Sequence, residues 1–189
     1  MSRDHRSVLV LLAGIATRVV LWVLVATGLV AQRTWVVDWA QGPGTDFTTI
    51  QPAVDAASDG DTILVRGDAT SHPNPGPVID GKGIRILGDG PQAVISGSLI
   101  IRNTQPWQAV SLTGFTRSEP TVFSLNYYTD IQSCAGPVLM DAIDILQRTR
   151  ITNSRLVVVS RCRILQHTGF QVNDSTFMVD GLTTNYFLP

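Results

Sequence analysis

Short apolar runs separated by clusters of turn residues recur along the chain from residue 62 to the C-terminus. Such runs are typical of β-strands, and no segment beyond residue 62 has a helical period. Taking one apolar residue per coil gives intervals of 23, 26, 27, 19 and 21 residues, which fall in the range of stacked solenoid units. The residues are Ile63, Ile86, Leu112, Leu139, Val158 and Val179. The pattern predicts an all-β solenoid; the rival, an antiparallel sandwich, would show two-residue hairpin turns and stricter alternation.

One short helix is predicted before these runs, in GTDFTTIQPAVDAASDGDTILVRGD at 44–68. Thr49 suits the N-cap position, because its hydroxyl can accept an unpaired amide of the first turn. The apolar residues follow the i, i+3, i+4, i+7 spacing of one helix face: Ile50, Ala53, Val54 and Ala57. A helix of about two turns is too short to cross over a large sheet. We therefore predict that residues 50–57 cap the open first coil of a right-handed, single-stranded parallel β-helix.

The same segment resembles the N-terminal part of pectin-lyase-like right-handed parallel β-helix proteins. In these, F-T-[ST]-I-Q-x-A-[IV]-x-A-A precedes G-D-x-I-x-V, and FTTIQPAVDAASDGDTILV carries both parts here. The resemblance implies the fold but no single reaction, because pectin methylesterases, polysaccharide lyases and exported proteins of unknown activity share it. The catalytic motifs of polygalacturonase-like hydrolases, pectate lyases and pectin methylesterases do not occur in the sequence, so no specific enzyme family is matched.

The N-terminus carries a basic start and an apolar stretch from Val8 to Ala31, interrupted only by Arg18. Residues 1–31 are predicted to be a signal peptide cleaved after Ala31, or alternatively a membrane anchor through residues 8–31. Both alternatives predict export, to the medium or the cell surface. Residues 32–189 are then the β-helix domain. Its last run is followed directly by TTNYFLP, so either these residues cover the open end or the chain is a fragment of a longer β-helix.

The charge balance excludes an electrostatic attraction to nucleic acid. The chain holds 14 basic and 15 acidic residues, a net charge of −1. Without residues 1–31, which hold three Arg and one Asp, 11 basic and 14 acidic residues remain, a net charge of −3. Cys134 and Cys162 are the only cysteines, and an oxidising compartment would allow them to form a disulfide. The alternative is two separate buried thiols.

Candidate catalytic residues are few. Asp141 and Asp144 in MDAID could divide acid and base roles or bind a metal, if the two carboxylates are close in space. Alternatively, one points outward from a strand and the other lies in a turn. His167 is a single imidazole with no metal-ligand spacing around it.

Candidate binding residues are basic or aromatic. If alternate residues of 155–163 point outward, Arg155, Arg161 and Arg163 share one face that could hold an acidic glycan or a lipid headgroup. A solvated strand edge is the alternative. The aromatic side chains that could stack on sugar rings, if they are not packed in the core, are Trp107, Tyr127 and Tyr128.

No cofactor is indicated, with calcium as the one alternative. Asp-Gly pairs at 59–60, 80–81, 89–90 and 180–181 could form a row of carboxylates on one edge, or could simply be turns. We expect an exported structural or glycan-binding protein without an identifiable active site, whose partner is a polysaccharide or cell-surface glycan. Contact with a membrane would occur only through an uncleaved N-terminal segment. The alternative function is a carbohydrate-active enzyme of the polysaccharide lyase or esterase type.

Overall fold

The computed structural model describes residues 31–67, 74–90, 93, 95–115, 128–145, 148–165, 170–181 and 183–185. All of these except Ala31 belong to the compact unit Gln32–Pro189. No helix among the described residues is long and apolar enough to cross a membrane. The elements are α1 (Ile50–Ala56) and the strands β1 (Thr34–Val37), β2 (Thr62–Arg66), β3 (Asn74–Pro75), β4 (Val78–Asp80), β5 (Arg85–Asp89), β6 (Ile95–Ser96), β7 (Leu99–Arg102), β8 (Val110–Thr113), β9 (Thr129–Gln132), β10 (Pro137–Asp141), β11 (Asp144–Ile145), β12 (Thr149–Thr152), β13 (Leu156–Ser160), β14 (Arg163–Leu165), β15 (Phe170–Asn173), β16 (Phe177–Asp180) and β17 (Thr183–Asn185).

The strands form a parallel β-solenoid, which confirms the predicted fold class. Sheet 1 has the order β1-β2-β5-β8-β10-β13-β16, and sheet 2 has the order β15-β12-β9-β7-β4. Sheet 3 consists of β11-β14-β17, and β3 pairs with β6. Every pairing between these strands is parallel, which rules out the antiparallel sandwich for the described residues. The right-handed sense stays a prediction, which the general rule for parallel crossovers favours.

Apolar side chains stack in columns inside the coils. The column in sheet 2 runs through Ile79, Ile101, Ile131 and Ile151, all fully buried. The column in sheet 1 runs through Ile63, Ile86, Leu112, Met140, Val159 and Val179, all of them buried except Val179, which lies in the last strand of the sheet and is 45% exposed. Because β-strand side chains alternate between faces, each column gathers every second residue of its strands into one core.

The predicted column is wrong by one residue at Leu139 and Val158. Leu139 is 38% exposed, whereas its neighbour Met140 and the equivalent Val159 are buried. A slip of one residue moves a strand side chain to the opposite face of the sheet. The sequence hides the slip because the strands PVLMD and LVVVS carry apolar residues on both faces.

Helix α1 caps the N-terminal end of the solenoid, as predicted. It packs against β1, β2, β3 and β4, and it buries Ile50, Ala53 and Val54. The helix spans Ile50–Ala56, close to the predicted 50–57. Thr49 occupies the N-cap position with extended backbone angles, but its hydroxyl makes no capping hydrogen bond, so that part of the prediction is wrong.

Gln51 closes the free edge of sheet 2. Its Nε2 donates to the carbonyl of Val78 (3.3 Å), and the N–H of Val78 donates to its Oε1 (2.7 Å). A carboxamide presents a donor and an acceptor as a peptide group does, so Gln51 takes the place of a further strand beside β4. This protects an edge that could otherwise pair with another chain.

The one lysine of the chain, Lys82, closes the C-terminal end of α1. Its ammonium group donates to the carbonyl oxygens of Val54 (2.7 Å), Asp55 (2.8 Å) and Ala57 (2.9 Å). These carbonyls lie at the negative end of the helix dipole and lack partners within the helix. The coil that follows α1 therefore fastens the cap in place.

Each strand of sheet 2 is followed by one residue in the left-handed backbone conformation. These five residues have φ angles between 47° and 62°; they are Gly81, Asn103, Ser133, Asn153 and Asp174. The N–H of each of the first four donates to a carbonyl of the next coil, at 2.9 to 3.3 Å. These turns end the strands at equivalent positions and so align the outward side chains of sheet 2.

Candidate functional site

The predicted acidic pair and two of the predicted arginines are partners of one another. Arg161 Nε donates to Asp141 Oδ1 at 2.8 Å, and its Nη2 donates to Oδ2 of the same carboxylate. Arg163 makes the same two contacts with Asp144, the first also at 2.8 Å. Asp144 and Arg163 are register partners in sheet 3, one coil apart. The predicted acidic pair and the predicted basic face, which suggested separate sites, therefore form two bidentate ion pairs between coils.

This pairing disfavours Asp141 as a catalytic acid. Hydrogen bonds from Arg161, together with its positive charge, lower the pKa of Asp141 although partial burial opposes the shift. The hydrogen bonds to the carboxylates raise the pKa of Arg161 and of Arg163 further. A general acid at neutral pH needs a raised carboxyl pKa, which is the opposite of what this environment produces.

Arg155 does not lie beside the other two arginines. It directly precedes β13, whereas Arg161 follows the end of that strand and has a φ of 49°. The alternation that would place Arg155, Arg161 and Arg163 on one face is therefore interrupted at residue 161. Arg155 is exposed, and its side chain has no polar partner among the described residues.

Two of the three predicted aromatic candidates can be located. Trp107 is 76% exposed on the turn Gln105–Gln108, which the Gln108 N–H closes by donating to the Gln105 carbonyl (2.9 Å). Tyr128 is 39% exposed and directly precedes β9. Tyr127 and His167 lie outside the described residues.

The two cysteines are buried free thiols, so the predicted disulfide is not formed. Cys134 follows the left-handed turn at Ser133 after a strand of sheet 2, whereas Cys162 follows a strand of sheet 1. They occupy different corners of the coil, which is why a separation close to one coil length does not bring them into one column. Burial raises the pKa of both thiols, consistent with the alternative of two buried, inert cysteines.

The four Asp-Gly pairs are turns, not a row of ligands. Each of the four glycines has a positive φ, between 62° and 97°. Asp80 ends a strand of sheet 2, Asp89 and Asp180 end strands of sheet 1, and Asp59 follows the helix, so they do not share one edge. The described residues contain no group of three or more carboxylate, His or Cys side chains that could hold a metal.

The most polar aligned surface is the outward side of sheet 2, called here the sheet 2 face. Its residues alternate with the buried isoleucine column and lie in register from coil to coil, about 4.8 Å apart. One column contains Val78, Ile100, Asp130, Arg150 and Gln171, and the next contains Asp80, Arg102, Gln132, Thr152 and Asn173. Tyr128 and Arg148 lie at the margin where the strands begin.

Charges on the sheet 2 face are paired between successive coils. Arg102 Nε donates to Asp80 Oδ2 (2.9 Å), and Asn103 donates to the other oxygen of that carboxylate (2.8 Å). Arg150 Nε donates to Asp130 Oδ1 (3.1 Å), and its Nη2 donates to Oδ2. Asp130 is only 4% exposed although it points outward, because the guanidinium lies against it. The hydrogen bond from Asn103, then the contact with Arg102, lowers the pKa of Asp80 despite partial burial.

The uncharged polar groups on the same face are available to a ligand. Four side chains make no hydrogen bond to any residue within the described part of the chain: Gln132, Thr152, Gln171 and Asn173. At the margin, the Arg150 guanidinium carbon lies 5.7 Å from the centre of the Tyr128 ring. The face thus offers amide donors and acceptors, a hydroxyl and an aromatic ring in one aligned array.

The sequence contained a signal for this face that its local patterns did not reveal. Each Asp–Arg pair is separated by roughly one coil: 22 residues for Asp80–Arg102 and 20 for Asp130–Arg150. Searching for opposite charges at coil spacing would have found these pairs. Of the residues on or beside this face, sequence reasoning singled out Tyr128 as an aromatic candidate and Asp80 only as part of an Asp-Gly pair.

Comparisons with protein-family models, with curated proteins and with solved structures find no match.

Proposed function

We propose that this protein is an exported β-solenoid that binds a glycan on the sheet 2 face. The observation that carries the proposal is the aligned set of polar side chains there that have no hydrogen-bond partner among the described residues, with Tyr128 at its margin. Glycan hydroxyl groups both donate and accept hydrogen bonds, as do the side chains of Gln132, Gln171 and Asn173. The resemblance to pectin-lyase-like proteins supports the same ligand class.

Extended glycan chains suit a surface that repeats from coil to coil. Equivalent positions recur about every 4.8 Å along the solenoid, so one polymer can meet an uncharged polar side chain at three successive coils, at Gln132, Thr152 and Asn173. Many weak contacts of this kind add up along a chain, which one isolated pocket cannot achieve. The exposed ring of Tyr128 adds an apolar surface on which the face of a sugar can stack.

Binding without turnover is supported better than catalysis. The four carboxylates of Asp80, Asp130, Asp141 and Asp144 are each ion-paired with an arginine. A carboxylate held in this way is not free to attack a substrate. The enzyme alternative, a polysaccharide lyase or esterase, would be favoured if purified protein released unsaturated or de-esterified products.

Export is the second part of the proposal, and it rests on the apolar N-terminal stretch from Val8 to Ala31. Mass spectrometry of the mature N-terminus tests it directly. A protein beginning at or near Gln32, recovered outside the cytoplasm, would support cleavage and secretion. An intact N-terminus in the membrane fraction would favour the anchor instead, and an intact soluble protein inside the cell would contradict export.

The binding part is tested by affinity electrophoresis through gels containing soluble polysaccharides. Removing Tyr128 in Tyr128→Ala should weaken binding at least about fivefold, since an aromatic contact contributes roughly 1 kcal/mol beyond its buried area. Thr152→Val should weaken it about two- to tenfold by deleting one hydrogen bond. The matched control is Thr113→Val, the same change on the outward side of sheet 1, and it should leave binding unchanged. Equal effects of both threonine variants, or no retardation by any polysaccharide, would contradict the proposal.

A further inference from the structure

We infer that the glycan bound by the sheet 2 face is a neutral polysaccharide, not a polyuronate. The inference rests on the proposed function and specifies its ligand class. The sequence analysis offered an acidic glycan or a lipid headgroup held by Arg155, Arg161 and Arg163 as one alternative, and a solvated strand edge as the other. Whether the ligand is acidic or neutral depends on which partners the guanidinium groups have in the folded chain.

The two arginines within the sheet 2 face are already occupied by carboxylates of this chain. Arg150 covers Asp130, which is 4% exposed, with two hydrogen bonds to its carboxylate. Releasing Arg150 to a ligand would break both hydrogen bonds and uncover the carboxylate on the same face, where it would repel a polyanion. Arg102 is held by Asp80, whose second oxygen is fixed by Asn103. Within each pair the positive charge of the arginine cancels the negative charge of the aspartate, so these four residues add no net charge to the sheet 2 face.

The remaining basic group, Arg148, lies at the margin of the sheet 2 face where the strands begin. Arg148 precedes β12, is exposed, and has no ion-pair partner among the described residues. A polyuronate carries a carboxylate on every sugar and would need a basic group at each coil, whereas the described part of the face offers this one. The net charge, −1 for the whole chain and −3 without residues 1–31, adds no attraction for a polyanion. The neutral groups Gln132, Thr152, Gln171 and Asn173 instead match hydroxyl groups, which every neutral sugar presents.

The test compares two classes of soluble polysaccharide with the full chain as the cell produces it. Xyloglucan, mixed-linkage β-glucan and galactan represent neutral polymers, and polygalacturonate and alginate represent polyuronates. We expect at least one neutral polymer to bind at least about tenfold more tightly than either polyuronate, with an affinity that changes little with salt. Tighter binding of a polyuronate, weakening with salt, would overturn this inference and leave the proposed function intact. Absence of binding in both classes would overturn both.

Variants that remove the aspartate of either ion pair test whether pairing of the arginines is the reason that polyuronates are not preferred. Asp130→Asn frees Arg150 on the sheet 2 face, and Asp80→Asn frees Arg102 at an exposed position where folding is less at risk. We expect either variant to gain affinity for polygalacturonate, by about three- to tenfold at low salt. Asp141→Asn is the matched control, because it removes the same charge and frees Arg161 away from this face. A gain equal to that of the control would mean that only net charge matters, and would overturn the inference.

Discussion

The backbone at Ala142 is in the left-handed conformation, with a φ of 50°, directly after β10. A side chain with a Cβ atom disfavours this region by about 1–2 kcal/mol, and glycine does not. Its N–H donates to the carbonyl of Ser160 in the next coil (3.0 Å), which holds the turn in this geometry. The residue therefore carries backbone strain that stacking of the coils maintains.

Replacing this alanine should stabilise the protein. Ala142→Gly is expected to raise the free energy of unfolding by about 0.5–1 kcal/mol, after allowing for the greater chain entropy of unfolded glycine. Urea unfolding followed by circular dichroism measures the change. Ala109→Gly, in a segment without positive φ, is the control and should be destabilised by about 0.5–1 kcal/mol. A loss of stability in Ala142→Gly would contradict the account of strain.

At the scale of the element, α1 depends on contacts that come from outside its own sequence. Its N-cap residue Thr49 makes no side-chain hydrogen bond, and no basic residue lies in its last turn. A seven-residue helix is not stable alone in water. The helix persists because it buries Ile50, Ala53 and Val54 against the first coils, and because Lys82 binds its final carbonyls and Gln51 pairs with Val78.

Removing the ammonium group of Lys82 should therefore loosen the cap. Lys82→Met is expected to lower the free energy of unfolding by about 1–2 kcal/mol, since three charge-assisted hydrogen bonds to the helix end are lost. Hydrogen exchange should show faster exchange of the Ala57 amide, which bonds to Ala53 within α1. Lys82→Arg keeps the charge and should recover part of the loss. Unchanged exchange at Ala57 would show that the apolar contacts alone hold the helix.

Across the whole molecule, aspartates with lowered pKa values link stability to pH. Burial raises the pKa of Asp61, but hydrogen bonds from the Arg33 and Ser58 amides and the Trp35 indole outweigh it, so the pKa is lowered. The pKa values of Asp80 and Asp141 are also lowered, by the contacts described above. Such groups stabilise the folded chain above the unfolded-state pKa of about 3.9, and this contribution is lost as pH falls below that value.

Acid should therefore destabilise the solenoid within a defined range of pH. The contribution of these three groups should stay constant between pH 7 and 5 and decline progressively below about pH 4. Urea midpoints at pH 7, 5, 4 and 3 measure this. The double variant Asp80→Asn, Asp141→Asn should begin with a lower midpoint and lose less between pH 4 and 3. If the urea midpoint of the variant fell between pH 4 and 3 as much as that of the natural chain, groups other than Asp80 and Asp141 would account for the acid sensitivity.

Much of the fold is encoded locally. The segment at 50–57 has the amphipathic spacing of a short helix, and the recurring apolar runs indicate stacked strands, because each coil repeats the same local pattern of buried and turn residues. The error at Leu139 and Val158 marks the limit of this approach. A strand that is apolar on both faces has no visible period of two, so only pairing with Leu112 and Val179 in adjacent coils fixes its register.

The sequence by itself determined that the chain builds coils and where its cap lies. Only the tertiary structure decided that Asp141 and Asp144 neutralise Arg161 and Arg163, and that the polar array lies on sheet 2. The physical reason is that these contacts join residues about 20 positions apart, and intervals between coils vary with turn length. Local patterns report which way a side chain points, whereas its partner depends on how successive coils align.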